Sequence, residues 1–339
     1  MKKILSGTVK VTVSLLISAV ILYFVYRDYD FSLFSACLAD MKLGWLWAAL
    51  AFSAIGPLLR GLRWNLLLEP IGYRVPYCDT ILTVFTGYAA NIIIPRIGEI
   101  CRCTILDRYD RVPFSKGLGT LVAERFVDLI LLVLISAATV ICQSSKFIDL
   151  FSGKADISAD EAAVSAAESI TDSSSQLQGS AASWIVPAVA AAVIALCWIL
   201  FRKFHLWQKI VKFCQDFWAG FIALKKVRNL PLFITYSIGI WVCYYLEMYL
   251  AFFCIDSISQ VGPMAGLACF VAGSITVLVP TPNGAGPWHF AITSMLVLYG
   301  AGLNDAKTFA LVLHTAQTAT YLMCGTLAWI ALHLVRRRA

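Results

Sequence analysis

The chain has 339 residues, of which 60% are hydrophobic and only 14% charged, with a net charge of +7 and a mean hydropathy of +0.77. A soluble domain is about 45–50% apolar and about 25% charged, so this composition excludes a water-soluble enzyme, and no stretch is polar enough to fold as a separate soluble catalytic domain. The 11 cysteines are scattered, and those inside apolar runs (Cys142, Cys197, Cys243, Cys254, Cys269, Cys324) read as small buried hydrophobes rather than a disulfide framework.

In chain order, Lys2 and Lys3 precede an apolar run that ends at Tyr26. It is long for a signal peptide and lacks a clear cleavage site, so it reads as an uncleaved first span. A span needs about 20 mostly apolar residues, and the full-length candidates are 9–26, 43–59, 126–143, 184–201, 231–255 and 307–334. Two further apolar stretches, 78–94 and 263–300, are interrupted. The predicted fold class is therefore all-α, a polytopic helical membrane protein of about six full spans plus two broken or re-entrant segments. The whole chain, 1–339, reads as one transmembrane domain.

Placing both termini and the segments 60–77, 95–125 and 202–230 in the cytoplasm puts 22 of the 27 Lys and Arg residues on that side, as the positive-inside rule requires. The positive charge is then a topology signal for a cell (plasma or inner) membrane protein, and implies no nucleic-acid partner. Segment 144–183, poor in bulky apolar residues, reads as a flexible extracytoplasmic loop. Segment 202–228 alternates apolar positions (Trp207, Ile210, Val211, Cys214, Trp218, Phe221, Ile222) with Lys209, Lys212, Gln215 and Asp216, the pattern of an amphipathic cytoplasmic interfacial helix.

Broken helices at membrane depth occur only where they line a cavity or lie buried in protein, and intramembrane ionisable groups mark function by default. The first break presents Gly87, Asn91, Pro95, Arg96, Gly98, Glu99 and Arg102. The second presents Pro280, Pro282, Asn283, Gly284, Gly286, Pro287 and His289, with a restarted helix whose N-terminus would suit an anion. Paired breaks of this kind point to a transporter-type site; two ordinary loops are the plain alternative.

Glu124 and Asp128 lie one turn apart beside Arg125 and need a cation, with Arg96 and Arg102 as candidates. An ion-pair network that merely pins the helix is the alternative. Arg60 and Arg63 end the second span, suited either to phosphate oxygens or to snorkelling as an interfacial anchor. Glu247 stands mid-span among Tyr244, Tyr245 and Tyr249, and His314, Gln317, Thr318 and Tyr321 form a polar stripe that most simply binds a neighbouring helix. No P-loop, nucleophile elbow, zinc signature or Rossmann pattern occurs in a supporting context, so no cofactor, metal or catalytic residue is expected. Cys101 and Cys103 lack the second pair that a zinc site needs.

Arg60-x-x-Arg63-Trp64, then Gly87-x-x-x-Asn91-x-x-x-Pro95-Arg96-x-Gly98-Glu99-x-x-Arg102, then Leu118-Gly119-Thr120-x-x-x-Glu124-Arg125-x-x-Asp128, then Pro280-x-Pro282-x-Gly284-x-Gly286 occur in that order. Together they resemble the lysylphosphatidylglycerol synthase transmembrane-region family (UPF0104), flippase-like integral membrane proteins, over nearly the whole chain. The resemblance implies translocation of a phospholipid or similar anionic lipid between leaflets. The chain ends at Ala339 soon after the last span, so the resemblance implies the translocating half without the C-terminal synthase domain. Where the family commonly carries Pro-Gly-Gly-x-Gly-x-x-Glu, this sequence has Asn283 and His289, which weakens any preference for lysyl-lipids.

The expected lipid site comprises Arg63, Arg96, Glu99, Arg102, Glu124, Arg125, Asp128, Asn283, Gly284, Gly286 and His289, gathered around a polar cavity. Expected partners are membrane phospholipids and a separate lipid-modifying enzyme. Two alternatives stand beside transport: a membrane-embedded transferase using Glu99 or His289 as base on a lipid-linked substrate, and an accessory subunit of a lipid synthase.

Overall fold

Apolar runs in lipid must satisfy their backbone hydrogen bonds internally, and every element among the described residues is a helix. The computed structural model describes residues 2–27, 29, 31–143, 206–276, 279 and 281–336. The expected loop 144–183 and the expected span 184–201 lie outside the described residues, as does the start of the expected interfacial helix, 202–205. Two compact units make up the chain, residues 1–144 with 216–339, and residues 145–215. Of the second, only the helical stretch from Leu206 is described.

The helices are α1 (Lys2–Tyr26), α2 (Phe31–Asp40), α3 (Leu43–Leu68), α4 (Tyr77–Ile93), α5 (Ile97–Asp110), α6 (Phe114–Cys142), α7 (Leu206–Ile222), α8 (Leu230–Phe252), the short α9 (Asp256–Ser259), α10 (Pro263–Thr276), α11 (Pro287–Leu298) and α12 (Leu303–Arg336). Among the described residues, three segments are long and apolar enough to cross a bilayer: Leu43–Ile71, Phe114–Cys142 and Leu230–Phe252. The expected spans 9–26 and 307–334 lie on continuous helices, α1 and α12. The stretch 78–94, expected to be interrupted, is one continuous helix, α4, with the break following it, while 263–300 is broken; across the two breaks the helices pair as α4 with α5 and α10 with α11. Their members have 17, 14, 14 and 12 residues, or about 18–26 Å at 1.5 Å per residue. None of the four reaches across a hydrocarbon core of about 30 Å.

Two helices outrun their expected limits. α3 continues past residue 59 to Leu68 with Arg60, Arg63 and Asn65 buried in it, and α6 starts at Phe114 rather than 126 with Glu124 and Asp128 buried. Hydropathy ends a span where charge begins, whereas the helix continues because the charges have partners inside the protein. Pro57 sits within α3, where it lacks the N–H that would bond the Ser53 carbonyl and so weakens the helix at that turn.

Apolar packing forms two clusters. One gathers Phe252, Ile258, Ile292, Leu296 and Phe309; the other gathers Trp64, Leu67, Leu106, Leu121 and Phe233 at the polar end of α3. The outer face of α6 leaves Leu129, Ile130, Val133, Leu134, Val140 and Ile141 exposed, a contiguous apolar surface far better suited to lipid than to water. At its other end, α6 meets the end of α7 backbone to backbone: a Cβ on Gly220 would lie 2.5 Å from the Lys116 carbonyl oxygen. Trp218 on α7 is exposed and stacks on Phe221, with ring centroids 5.7 Å apart.

Candidate lipid-binding site

The first break is a tight turn. The Ile97 N–H closes on the Ile94 carbonyl at 3.2 Å, with Pro95 second and Arg96 third in the turn. Arg96 has φ 64°, a left-handed conformation that type II turns normally give to glycine. Beyond the turn, α4 and α5 touch so closely that a Cβ on Gly98 would lie 2.2 Å from the Gly87 carbonyl oxygen. The Asn91 side chain accepts from the Gly98 N–H at 2.7 Å and ties the hairpin.

That close crossing delivers Arg102 from α5 to the charged residues of α3 and α6. Arg60 donates to Glu124 at 2.7 Å and to Asp128 at 2.8 Å. Arg63 Nη2 lies 3.1 Å from Glu124 and 2.8 Å from Asp128, while its other terminal nitrogen donates to Ser237 at 3.2 Å. Arg102 reaches the second Glu124 oxygen at 3.2 Å and lies over the Trp64 ring, 4.2 Å from its centroid. Trp64 is itself held by an N–H bond to the Thr120 hydroxyl at 3.0 Å.

Arg63 and Glu124 are completely buried, and the Arg60 and Arg102 side chains are 4% and 3% exposed. Snorkelling therefore does not describe Arg60 or Arg63. The spacing i, i+3 aims both inward at two carboxylates with matching one-turn spacing on α6. Arg60 was absent from the expected lipid site; its signal was the charge placed next to Gly56 and Pro57 in an otherwise apolar helix. Three buried arginines face two buried carboxylates, which leaves one positive charge in excess. The Nε atoms of Arg60, Arg63 and Arg102 are buried without a hydrogen-bond partner.

The remaining charges of this region sit nearer the surface. Arg125 donates to Glu99 at 2.7 Å, with side chains 46% and 41% exposed, and Arg125 also lies 3.7 Å from Asp128. Arg96 is exposed. The expected residues thus separate into an accessible set, Arg96, Glu99 and Arg125, and a buried set, Arg63, Arg102, Glu124 and Asp128. In place of the expected open polar cavity, the buried set is closed on itself, because each arginine lies against a carboxylate it shares with the others.

The second break is built around a left-handed Asn283, φ 49°, followed by Gly284 and Gly286 with φ 75° and 93°. Asparagine is among the few residues with a Cβ that visit this region readily, which explains how it stands where glycine is usual. Its side chain donates to Thr318 on α12 at 2.7 Å, and its carbonyl lies 3.0 Å from His314 Nε2. His289 is 3% exposed. It accepts the Gly286 N–H at 3.3 Å through Nδ1 and packs against the His314 ring with centroids 4.5 Å apart. His289 here caps the start of α11.

The polar stripe of α12 joins the two regions. Thr318 holds the second break, Gln317 donates to Glu247 on α8 at 2.6 Å, and Tyr321 packs on Tyr88 of α4 with ring centroids 4.9 Å apart. The Tyr88 hydroxyl hydrogen-bonds the Tyr244 hydroxyl at 2.7 Å. As expected of such a stripe, it binds neighbouring elements.

A curated relative, the glycosyltransferase AglD of Haloferax volcanii, is 25% identical over 123 residues, which is 36% of this chain and 20% of the relative. The chain thus matches about a fifth of that relative's length. No solved structure matches the chain at a significant level. The lysylphosphatidylglycerol synthase TM region family matches residues 11–325, a range that takes in both breaks and every expected site residue, so the chain belongs to that family and is a multi-pass helical membrane protein.

Proposed function

We propose that this protein binds an anionic lipid through its phosphate and moves it between leaflets. One observation carries the reading: the buried cluster holds Arg60, Arg63 and Arg102 against only Glu124 and Asp128. An uncompensated buried charge is strongly unfavourable, and a phosphodiester carries the single negative charge that would balance it. Planar guanidinium groups with unused Nε donors suit phosphate oxygens. Arg96 and Arg125 supply accessible cations for the first encounter, and the lipid phosphate then displaces carboxylate partners as the α4–α5 hairpin shifts. Two pairs of half-length helices supply the discontinuous framework on which transporters build such sites. The family's name, taken from a lipid synthase, agrees with a role in lipid metabolism or transport. The Lys and Arg distribution supports a cell-membrane location with both termini in the cytoplasm.

The test is translocation of a fluorescent anionic phospholipid in proteoliposomes. Wild type should exceed protein-free vesicles, and Arg102→Lys, which keeps charge but loses the planar fork, should be about tenfold slower, as befits ~1.4 kcal/mol. Wild-type rates equal to protein-free vesicles would refute the reading. The relative's name, glycosyltransferase, favours a second reading, group transfer onto a lipid-linked acceptor with Glu99 or His289 as base. A modified lipid formed by the purified protein alone would select it.

A further inference from the structure

Glu247 is a mid-helix carboxyl on α8, 4% exposed, and its surroundings differ from those of Glu124. Gln317 of α12 donates to it at 2.6 Å, and the Ser53 hydroxyl of α3 lies against it. Cys243 on its own helix and Tyr321 on α12 are the titratable groups that interact with it. α10, which packs on α8, contains no charged residue. Among the described residues, no Lys, Arg or His pairs with this carboxyl.

Ionisable side chains within transmembrane segments are costly and mark functional pathways, among them the Asp, Glu and His chains that relay protons in pumps and transporters. Two further observations connect Glu247 to the arginine cluster. First, Ser53 is fully buried, and its hydroxyl lies against both the Glu247 carboxyl and the Tyr321 hydroxyl. Ser53 is also the residue whose carbonyl Pro57 leaves without a helical donor. A bond made or broken there acts at the weak turn of the helix that carries Arg60 and Arg63. Second, polar and aromatic groups run from Glu247 through Gln317, Tyr321 and Tyr88 to Tyr244, whose hydroxyl lies against the Arg60 guanidinium. Gly56 makes room for that tyrosine, because a Cβ there would lie 2.7 Å from the Tyr244 ring.

We infer that Glu247 is a proton-binding site whose occupancy is coupled to opening of the arginine–carboxylate cluster, so that lipid movement is linked to proton movement. The step is a proton transfer alone: the carboxylate takes a proton from water on one side and returns it to water on the other. This coupling rests on the lipid-transport reading, whereas proton binding at Glu247 does not.

Two measurements keep those claims apart. Infrared difference spectra of the purified protein between acid and alkaline buffer should show a protonated-carboxyl C=O band that disappears in Glu247→Gln. Survival of the band in that variant, or its absence from wild type, overturns the proton site whatever the transport result. In proteoliposomes containing fluorescent phosphatidylglycerol, one pH unit across the bilayer should shift the wild-type steady-state leaflet ratio about tenfold for one proton per lipid. Glu247→Gln should show no pH-gradient dependence, and Glu247→Asp should restore it in part. A wild-type protein that moves lipid without responding to the gradient overturns the coupling but leaves the transport reading intact. A band at Glu247 with no lipid movement overturns the coupling and the transport reading together.

Discussion

Glu124→Gln is the substitution on which the buried cluster has most to say. Glu124 is completely buried and receives Arg60 at 2.7 Å, Arg63 at 3.1 Å and Arg102 at 3.2 Å. Glutamine preserves the shape but removes the charge, so three buried guanidinium groups are left facing Asp128 alone. Removing one partner of a buried ion pair costs about 3–5 kcal/mol, and three arginines share this one, so the upper part of that range applies. Glu99→Gln provides the internal control: its partner Arg125 and Glu99 itself are nearly half exposed, where such pairs are worth about 0–1 kcal/mol. Equilibrium unfolding in mixed micelles, followed by tryptophan fluorescence, measures both. The double variant Arg60→Gln/Glu124→Gln should recover part of the loss, with a coupling of about 0.5–3 kcal/mol. A Glu124→Gln protein within about 1 kcal/mol of Glu99→Gln would refute the argument that Glu124 is a buried counter-charge shared by the three arginines.

Substitutions at three other positions test the framework around the cluster. Gly98→Ala puts a methyl 2.2 Å from the Gly87 carbonyl oxygen and should cost about 1–3 kcal/mol by prising α4 from α5, visible as a lowered unfolding midpoint and loss of monodisperse protein on size exclusion. Asn283→Val forces a β-branched residue into a left-handed φ of 49° and removes the bond to Thr318; thermal unfolding should drop by more than in Asn283→Gly, which keeps the backbone relaxed. Trp64→Phe loses the 3.0 Å bond to Thr120 and should cost about 1 kcal/mol, while Trp64→Leu should lose more because the ring under Arg102 disappears.

The architecture was largely legible in the sequence because lipid allows so few backbone solutions. Apolar runs of span length gave α3, α6 and α8, and proline with glycine marked the turns at Pro95 and around Asn283. What could not be read was which way a charge points. Arg60 at the end of an apolar run looks the same whether it snorkels outward or pairs inward. The answer depends on α6 presenting Glu124 and Asp128 at matching height, which is a tertiary fact. The same ambiguity cut α3 and α6 short, since a buried ion pair and a solvated loop have equal hydropathy. Glu124 and Asp128 were recognised as needing a cation, but Arg96, one of the two candidates, proved to be exposed, and Arg60 and Arg63 took its place beside Arg102. His289 was placed in the expected lipid site; its Nδ1 is engaged by the Gly286 N–H, a capping role that depends on the local φ angles and not on composition.

The central claim is that the single excess positive charge among Arg60, Arg63 and Arg102 is matched by a lipid phosphate. Native mass spectrometry of protein released from membranes tests it directly. Wild type should retain one anionic phospholipid per chain in preference to a neutral zwitterionic lipid of equal acyl length, and Arg102→Lys should retain much less of it. Equal retention of the two lipids by wild type, with no change on substituting Arg102, would contradict the account.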